Sequence, residues 1–209
     1  MQIEMKQSAL FHKSSSRFFA SCLLLLLSSM SFNFALGGEN YVEMFLSSHD
    51  GQIGKNYYGE HFISAGFSAQ LYHYEDDFYR SDYVGLARTF DALQLGLGMG
   101  EAEYDGLSFR AYNPWAWYKK NGWEAYAEYE FIPDDLPSYY YRAYLYKDLA
   151  RHLFAGAYAE RDVGVGPVIG LRFEHENSGL VLNLVKPVLD TPATDRVSLI
   201  AYVTAWLSF

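Results

Sequence analysis

Two places in this sequence set a histidine near a serine, the pairing that can activate a hydroxyl for nucleophilic attack. His61 stands three residues before Ser64, and His175 three before Ser178, with Glu174 and Glu176 flanking the second histidine. In an extended chain residues 175 and 178 point to opposite faces, so only a turn near 177–179 could bring them together. Asn177-Ser178-Gly179 is also ordinary turn chemistry. His175, Ser178 and Glu174 are therefore the candidate catalytic set, with a plain hairpin turn as the preferred reading. The run His73-Tyr74-Glu75-Asp76-Asp77 could hold a cation on a loop, but it lacks the spacing of a ligand set. A solvated charged loop is expected there, and neither a metal nor a cofactor is called for.

A second group of charged residues is organised by period. Glu124, Tyr126, Glu128 and Glu130 alternate with Trp123, Ala125, Ala127, Tyr129 and Phe131. Arg142, Tyr144 and Tyr146 alternate with Tyr141, Ala143 and Leu145, and the same pattern places Tyr158, Glu160, Arg172 and Glu174 on a polar face. A period of two belongs to a strand with unlike faces. If the polar face lines the inside of a closed sheet, it gathers Glu124, Glu128, Glu130, Arg142, Glu160, Arg172 and Glu174 into one cluster. Buried charges need partners, and the two arginines and the tyrosine hydroxyls could supply them. A packed polar core is expected in preference to a pore, and the excess of carboxylates would make any pore prefer cations.

Strand periodicity recurs along most of the chain. It marks segments 61–73, 78–90, 92–104, 107–118, 123–132, 139–149, 153–161, 166–176, 180–189 and 196–209. In the first, Ile63, Ala65, Phe67, Ala69 and Leu71 share one face; in the third, Leu93, Leu95, Leu97 and Met99 oppose Gly96, Gly98 and Gly100. Glycine at alternate positions leaves room for bulky neighbours inside a narrow barrel. Asp105-Gly106 and Asn121-Gly122 are hairpin turns, and no helical periodicity follows residue 38. The expected fold is all-β, a closed antiparallel transmembrane β-barrel of ten strands, with eight or twelve as alternatives. Residues 39–58 are left over; within them 39–47 alternate weakly and are left as an additional strand or a periplasmic or interior segment. A soluble barrel or sandwich would show the same alternation with its apolar face turned inward.

The amino-terminus reads as an export signal. Lys6, Lys13 and Arg17 precede an apolar run from Phe18 to Leu27, and Ala35-Leu36-Gly37 has the form of a cleavage site. That run is too short for a spanning helix. Residues 1–37 are thus expected to be a signal peptide and 38–209 the barrel domain. Cys22, the sole cysteine, lies in the leader, so the mature chain carries no thiol into an oxidising periplasm. Residues 38–209 hold 13 Lys+Arg against 24 Asp+Glu, a net charge near −11 that excludes nucleic acid as a partner. All 19 tyrosines lie in this part, as befits a protein with two membrane–water interfaces.

The final segment, Val197 to Phe209, is apolar at every second position back from the terminal phenylalanine. It resembles the closing strand of bacterial outer-membrane β-barrels. That resemblance implies residence in the outer membrane, lipid as a partner, and a barrel-assembly machinery that reads Tyr202, Trp206 and Phe209. His175 to Leu180 bears a loose resemblance to the His-x-Ser signature of lipid A deacylases, from which it departs at Asn177 and in the position of Ser178. Residues 128–138, E-Y-E-F-I-P-D-D-L-P-S, resemble a hairpin of the YfaZ group of small outer-membrane proteins, which implies a small barrel and no established activity. The expected function is a structural or surface-interaction role in the bacterial envelope. A narrow cation-preferring channel and a lipid A-modifying hydrolase or acyltransferase are the alternatives.

Overall fold

The computed structural model describes residues 40–49, 52–76, 79–104, 106–133, 139–161, 163–189 and 199–209. The proposed leader lies outside these residues. Twelve strands run β1 (Asn40–His49), β2 (Gln52–Ser64), β3 (Phe67–Glu75), β4 (Tyr79–Phe90), β5 (Leu93–Tyr104), β6 (Leu107–Lys120), β7 (Trp123–Phe131), β8 (Tyr139–Ala150), β9 (Leu153–Glu160), β10 (Gly164–His175), β11 (Ser178–Val185) and β12 (Ile200–Ser208). Each pairs antiparallel with its sequence neighbours, and β12 returns to β1 to close the barrel. At the seam Tyr41 faces Ser208 and Ser48 faces Ala201. Asn40 N–H donates to the Phe209 carbonyl at 2.8 Å, and Phe209 N–H donates back at 3.0 Å. Closure leaves no unpaired edge, the condition for a sheet to sit in lipid.

The expected ten strands are corrected to twelve. The segment 61–73 is not one strand but the end of β2, the turn Ala65-Gly66 and most of β3. A two-residue turn normally moves the outward face from even to odd positions or the reverse, because residues i and i+3 pair. At the β4–β5 hairpin Phe90 pairs with Leu93 in this way. At β2–β3, however, Phe62 pairs with Ser68 and Ser64 with Phe67, so Ile63 is an extra residue, a β-bulge. The bulge undoes the parity change, and the apolar alternation runs through the turn unbroken. The turn also lacks the usual Asn-Gly or Asp-Gly signal: Ala65 itself takes φ +49° and Gly66 +79°.

The remaining two strands draw on residues 39–58. β1 hides its period because Tyr41 and Phe45 point inward with Glu43 between them, so both faces contain apolar residues. β2 hides its period because its outward face carries Lys55, Gly59 and His61.

All five hairpins on the side of Asn40 and Phe209 are two-residue turns, whereas the connections at the other end reach fourteen residues between β11 and β12. These are called the turn end and the loop end below. Asn121 and Gly122, at φ +56° and +71°, make one of the turns with the twist a hairpin requires.

The two faces are unlike in the sense that separates lipid from water. Outside stand Leu86, Val84 and Ile169, 62%, 58% and 51% exposed; inside, Glu128 and Glu130 are 4% and 5% exposed. A soluble sheet would invert this arrangement. A continuous apolar outer wall of this extent in water is an aggregation hazard, and in a bilayer it is the lipid contact. Glycines on the inner face make space for rings: a Cβ on Gly96 would collide with the Trp115 indole directly opposite, and one on Gly179 with Trp206.

Candidate functional site

Every strand contributes alternate side chains to the lumen, and the charged ones of β6 to β10 form three groups from the turn end upward. At the turn end Arg172 reaches Glu124 at 2.5 Å, Asp148 at 3.3 Å and Glu174 at 3.8 Å. Lys119 joins Glu174 at 3.2 Å and Glu124 at 3.8 Å. Lys119 and Glu174 are 40% and 47% exposed, which shows that this end of the lumen is open. Above them Arg142 Nε lies 2.8 Å from Glu128 Oε1, with Glu128 buried and Arg142 nearly so. The Arg142 guanidinium also covers the Phe45 ring at 4.9 Å and Tyr126 at 5.5 Å.

Toward the loop end the carboxylates are held by hydroxyls. Glu130 accepts from Tyr79 and Tyr83. Glu160 accepts from Tyr140, from Tyr158 at 2.6 Å and from Tyr202 at 2.8 Å. Around them two apolar clusters pack: Tyr83, Ala102, Ala111 and Ile132 on one side, and Tyr158, Val163, Val168, Val185, Ile200 and Tyr202 on the other. Among the described residues this half of the lumen is filled.

Below that packing lies a chamber of about 510 Å³. It reaches from Trp117, Lys119, Glu174 and Trp206 at the turn end up to Asn56, Tyr83 and Asn183. Among the described residues the chamber is exposed at the turn end, and the buried clusters lie toward the other.

All seven charged residues expected in the lumen face it, although they sit in separate groups. Of the residues expected to form an assembly signal, Tyr202 and Trp206 also point inward. Tyr202 stacks on Phe45 at 5.1 Å and Trp206 on Tyr41 at 5.9 Å, while Phe209 completes the seam with Asn40.

Two lumen carboxylates were invisible in the sequence because they lie in β1 and β2. Glu43 accepts from Tyr41 at 2.5 Å. Glu60 accepts from Ser68, from Gln94 at 2.6 Å and from Tyr58 at 3.0 Å. The i, i+2 spacing of Tyr41 with Glu43 and of Tyr58 with Glu60 was the available signal.

The candidate catalytic residues are not assembled as a triad. His175 and Ser178 are register partners at the end of the β10–β11 hairpin, on the outer face. The Ser178 hydroxyl donates to the His175 carbonyl at 3.2 Å. Glu174 points the other way, to Lys119 and Arg172. In the other cluster His73 pairs with Asp82 at 2.6 Å on the outer wall near the loop end. No group that could hold a metal ion occurs among the described residues.

Among solved structures the chain is similar to the KdgM porin, with a TM-score of 0.53 at 10% identity over 81% of this chain and 99% of that one. The KdgM porin in complex with disordered oligogalacturonate gives 0.52 at 11% identity, with the same coverage. The NanC porin in a rhombohedral crystal form gives 0.47 at 10% identity over 80% of this chain and 98% of that one. No family model matches the chain, and no curated protein matches it. The chain shares the closed antiparallel β-barrel fold of the KdgM porin.

Proposed function

We propose that this chain is an integral β-barrel of the bacterial outer membrane with a structural or surface-interaction role, and that its lumen does not conduct. The apolar outer wall supports a lipid setting. By the usual orientation of such barrels, the turn end faces the periplasm and the long loops face outward. Residues 1–37 then serve as the export signal, and the barrel-assembly machinery receives the β12 strand with its terminal Phe209. The likeness of residues 128–138 to the YfaZ group supports the same small-barrel reading; residues 134–138 lie outside the described part.

The observation that carries the non-conducting reading is the packed loop half, where Glu130 and Glu160 are locked by five tyrosines within apolar clusters. An ion crossing it would have to displace buried, hydrogen-bonded rings. Planar-bilayer recording of the purified barrel tests this. The expected record is flat, and steady ohmic steps would overturn it. The second reading, a narrow channel, is favoured by the acid excess of the lining and would give cation-selective steps. The hydrolase reading gains no support from Ser178, whose hydroxyl is turned to a backbone carbonyl rather than to a base.

A further inference from the structure

The chamber has an uneven chemistry. On β1 and β2, Tyr41 is the cross-strand partner of Glu60, and Glu43 is the partner of Tyr58, so two carboxylates and two phenol rings alternate in a square. All four line the chamber. The cations nearby are taken up elsewhere: Arg172 and Lys119 by Glu124 and Glu174, and Arg142 by Glu128. Among the described residues neither Glu43 nor Glu60 has an ion pair; each accepts only from neutral groups.

The opposite wall is aromatic but its rings are already engaged: Tyr126 stacks on Tyr144 at 5.4 Å under the Arg142 guanidinium. Asn183 also lines the chamber, is only 8% exposed, and its Oδ1 has no hydrogen-bond partner among the described residues. A buried acceptor without a donor is costly and points to a missing donor.

An acceptor-rich cavity with unpaired carboxylates and ring faces matches one class of ligand. We propose that the chamber binds a compact organic cation, an amine or quaternary ammonium, entering from the turn end. The carboxylates of Glu43 and Glu60 supply the charge, the Tyr41 and Tyr58 rings between them supply aromatic contact, and Asn183 Oδ1 accepts an N–H where the ligand has one. This assignment rests on the reading of the lumen as blind from the loop end.

The test is calorimetric titration of the purified, folded barrel in detergent with tetramethylammonium chloride. Sodium chloride at equal ionic strength and glucose serve as controls. Saturable binding of tetramethylammonium is expected, weakened at least tenfold in Glu43→Gln and in Glu60→Gln, with both variants still showing the heat-dependent gel shift of a folded barrel. Absence of saturable binding in the unaltered protein would overturn the proposal, as would binding unchanged in Glu43→Gln or equal binding of glucose. The bilayer record separates the two readings. A barrel that conducts yet binds tetramethylammonium through Glu43 keeps the cation site and loses the blind lumen. A silent barrel that binds nothing loses the cation site alone.

Discussion

Glu128 and Arg142 are direct cross-strand partners on β7 and β8, and their side chains meet at 2.8 Å inside the barrel. The carboxylate also accepts from Tyr126 at 3.0 Å and Asn113 at 3.4 Å, so Glu128 is held from β6, β7 and β8 at once. Breaking a buried pair from one side leaves the other charge uncompensated. Arg142→Ala should cost about 3–5 kcal/mol, whereas the double replacement Arg142→Met with Glu128→Gln should recover much of that loss. Urea unfolding of the barrel in lipid vesicles measures both.

Arg172 should be less critical. Two of its three partners, Asp148 and Glu174, are 44% and 47% exposed, so water can replace them. Arg172→Ala should cost about 1.5–3 kcal/mol, the range for hydrogen bonds to charged groups. The same unfolding series checks the order: a loss at Arg172 larger than at Arg142 would place the buried charge at the wrong level of the lumen.

The β2–β3 bulge makes a prediction of its own. Removing Ile63 converts the hairpin to a regular one and leaves every other side chain of β2 on its present face. Removing Val84, in the middle of β4, turns half of that strand inside out, since a one-residue slip exchanges the two faces. Deletion of Ile63 should therefore still give a heat-modifiable band on gels, and deletion of Val84 should not.

That bulge also marks where the sequence stopped being readable. From β4 onward the strands lie within a few residues of their expected places, because large aliphatics such as Leu95 and Leu97 oppose small or polar partners such as Gly96 and Gln94. The lumen set was legible for the same reason: Glu124, Glu128 and Glu130 sit at strict alternate positions. In β1 and β2 aromatic rings occupy the inner face and polar residues part of the outer, so the period carries little contrast. Glu43 and Glu60 went unseen with them. The grouping of the lumen charges was not legible at all, since strand pairing alone gives register and not the reach of Arg172 across to Glu124, 48 positions away.

The seam should be intolerant of change. Val203 faces outward between Leu46 and Leu182, its register partners on β1 and β11. Val203→Arg should cost about 2–4 kcal/mol if the position lies near the bilayer middle. Loss of Phe209 removes the last ladder bonds to Asn40 and should leave unassembled, protease-sensitive chain in fractionated cells. Recovery of either variant as a soluble folded protein would contradict a lipid-facing outer wall.

Neighbouring positions on β12 provide the most direct measurement. Val203 belongs to the outer wall, and Thr204 lines the chamber. Nitroxide labels placed singly at these two positions, in residues 38–209, which contain no cysteine, reconstituted into vesicles, report contact with oxygen, which concentrates in lipid, and with a nickel chelate, which stays in water. The label at 203 should collide with oxygen and be shielded from nickel, and the label at 204 should show the reverse through the open turn end. A label at 203 that meets nickel more readily than oxygen would mean that the apolar face does not contact lipid, and the membrane-barrel account would fail.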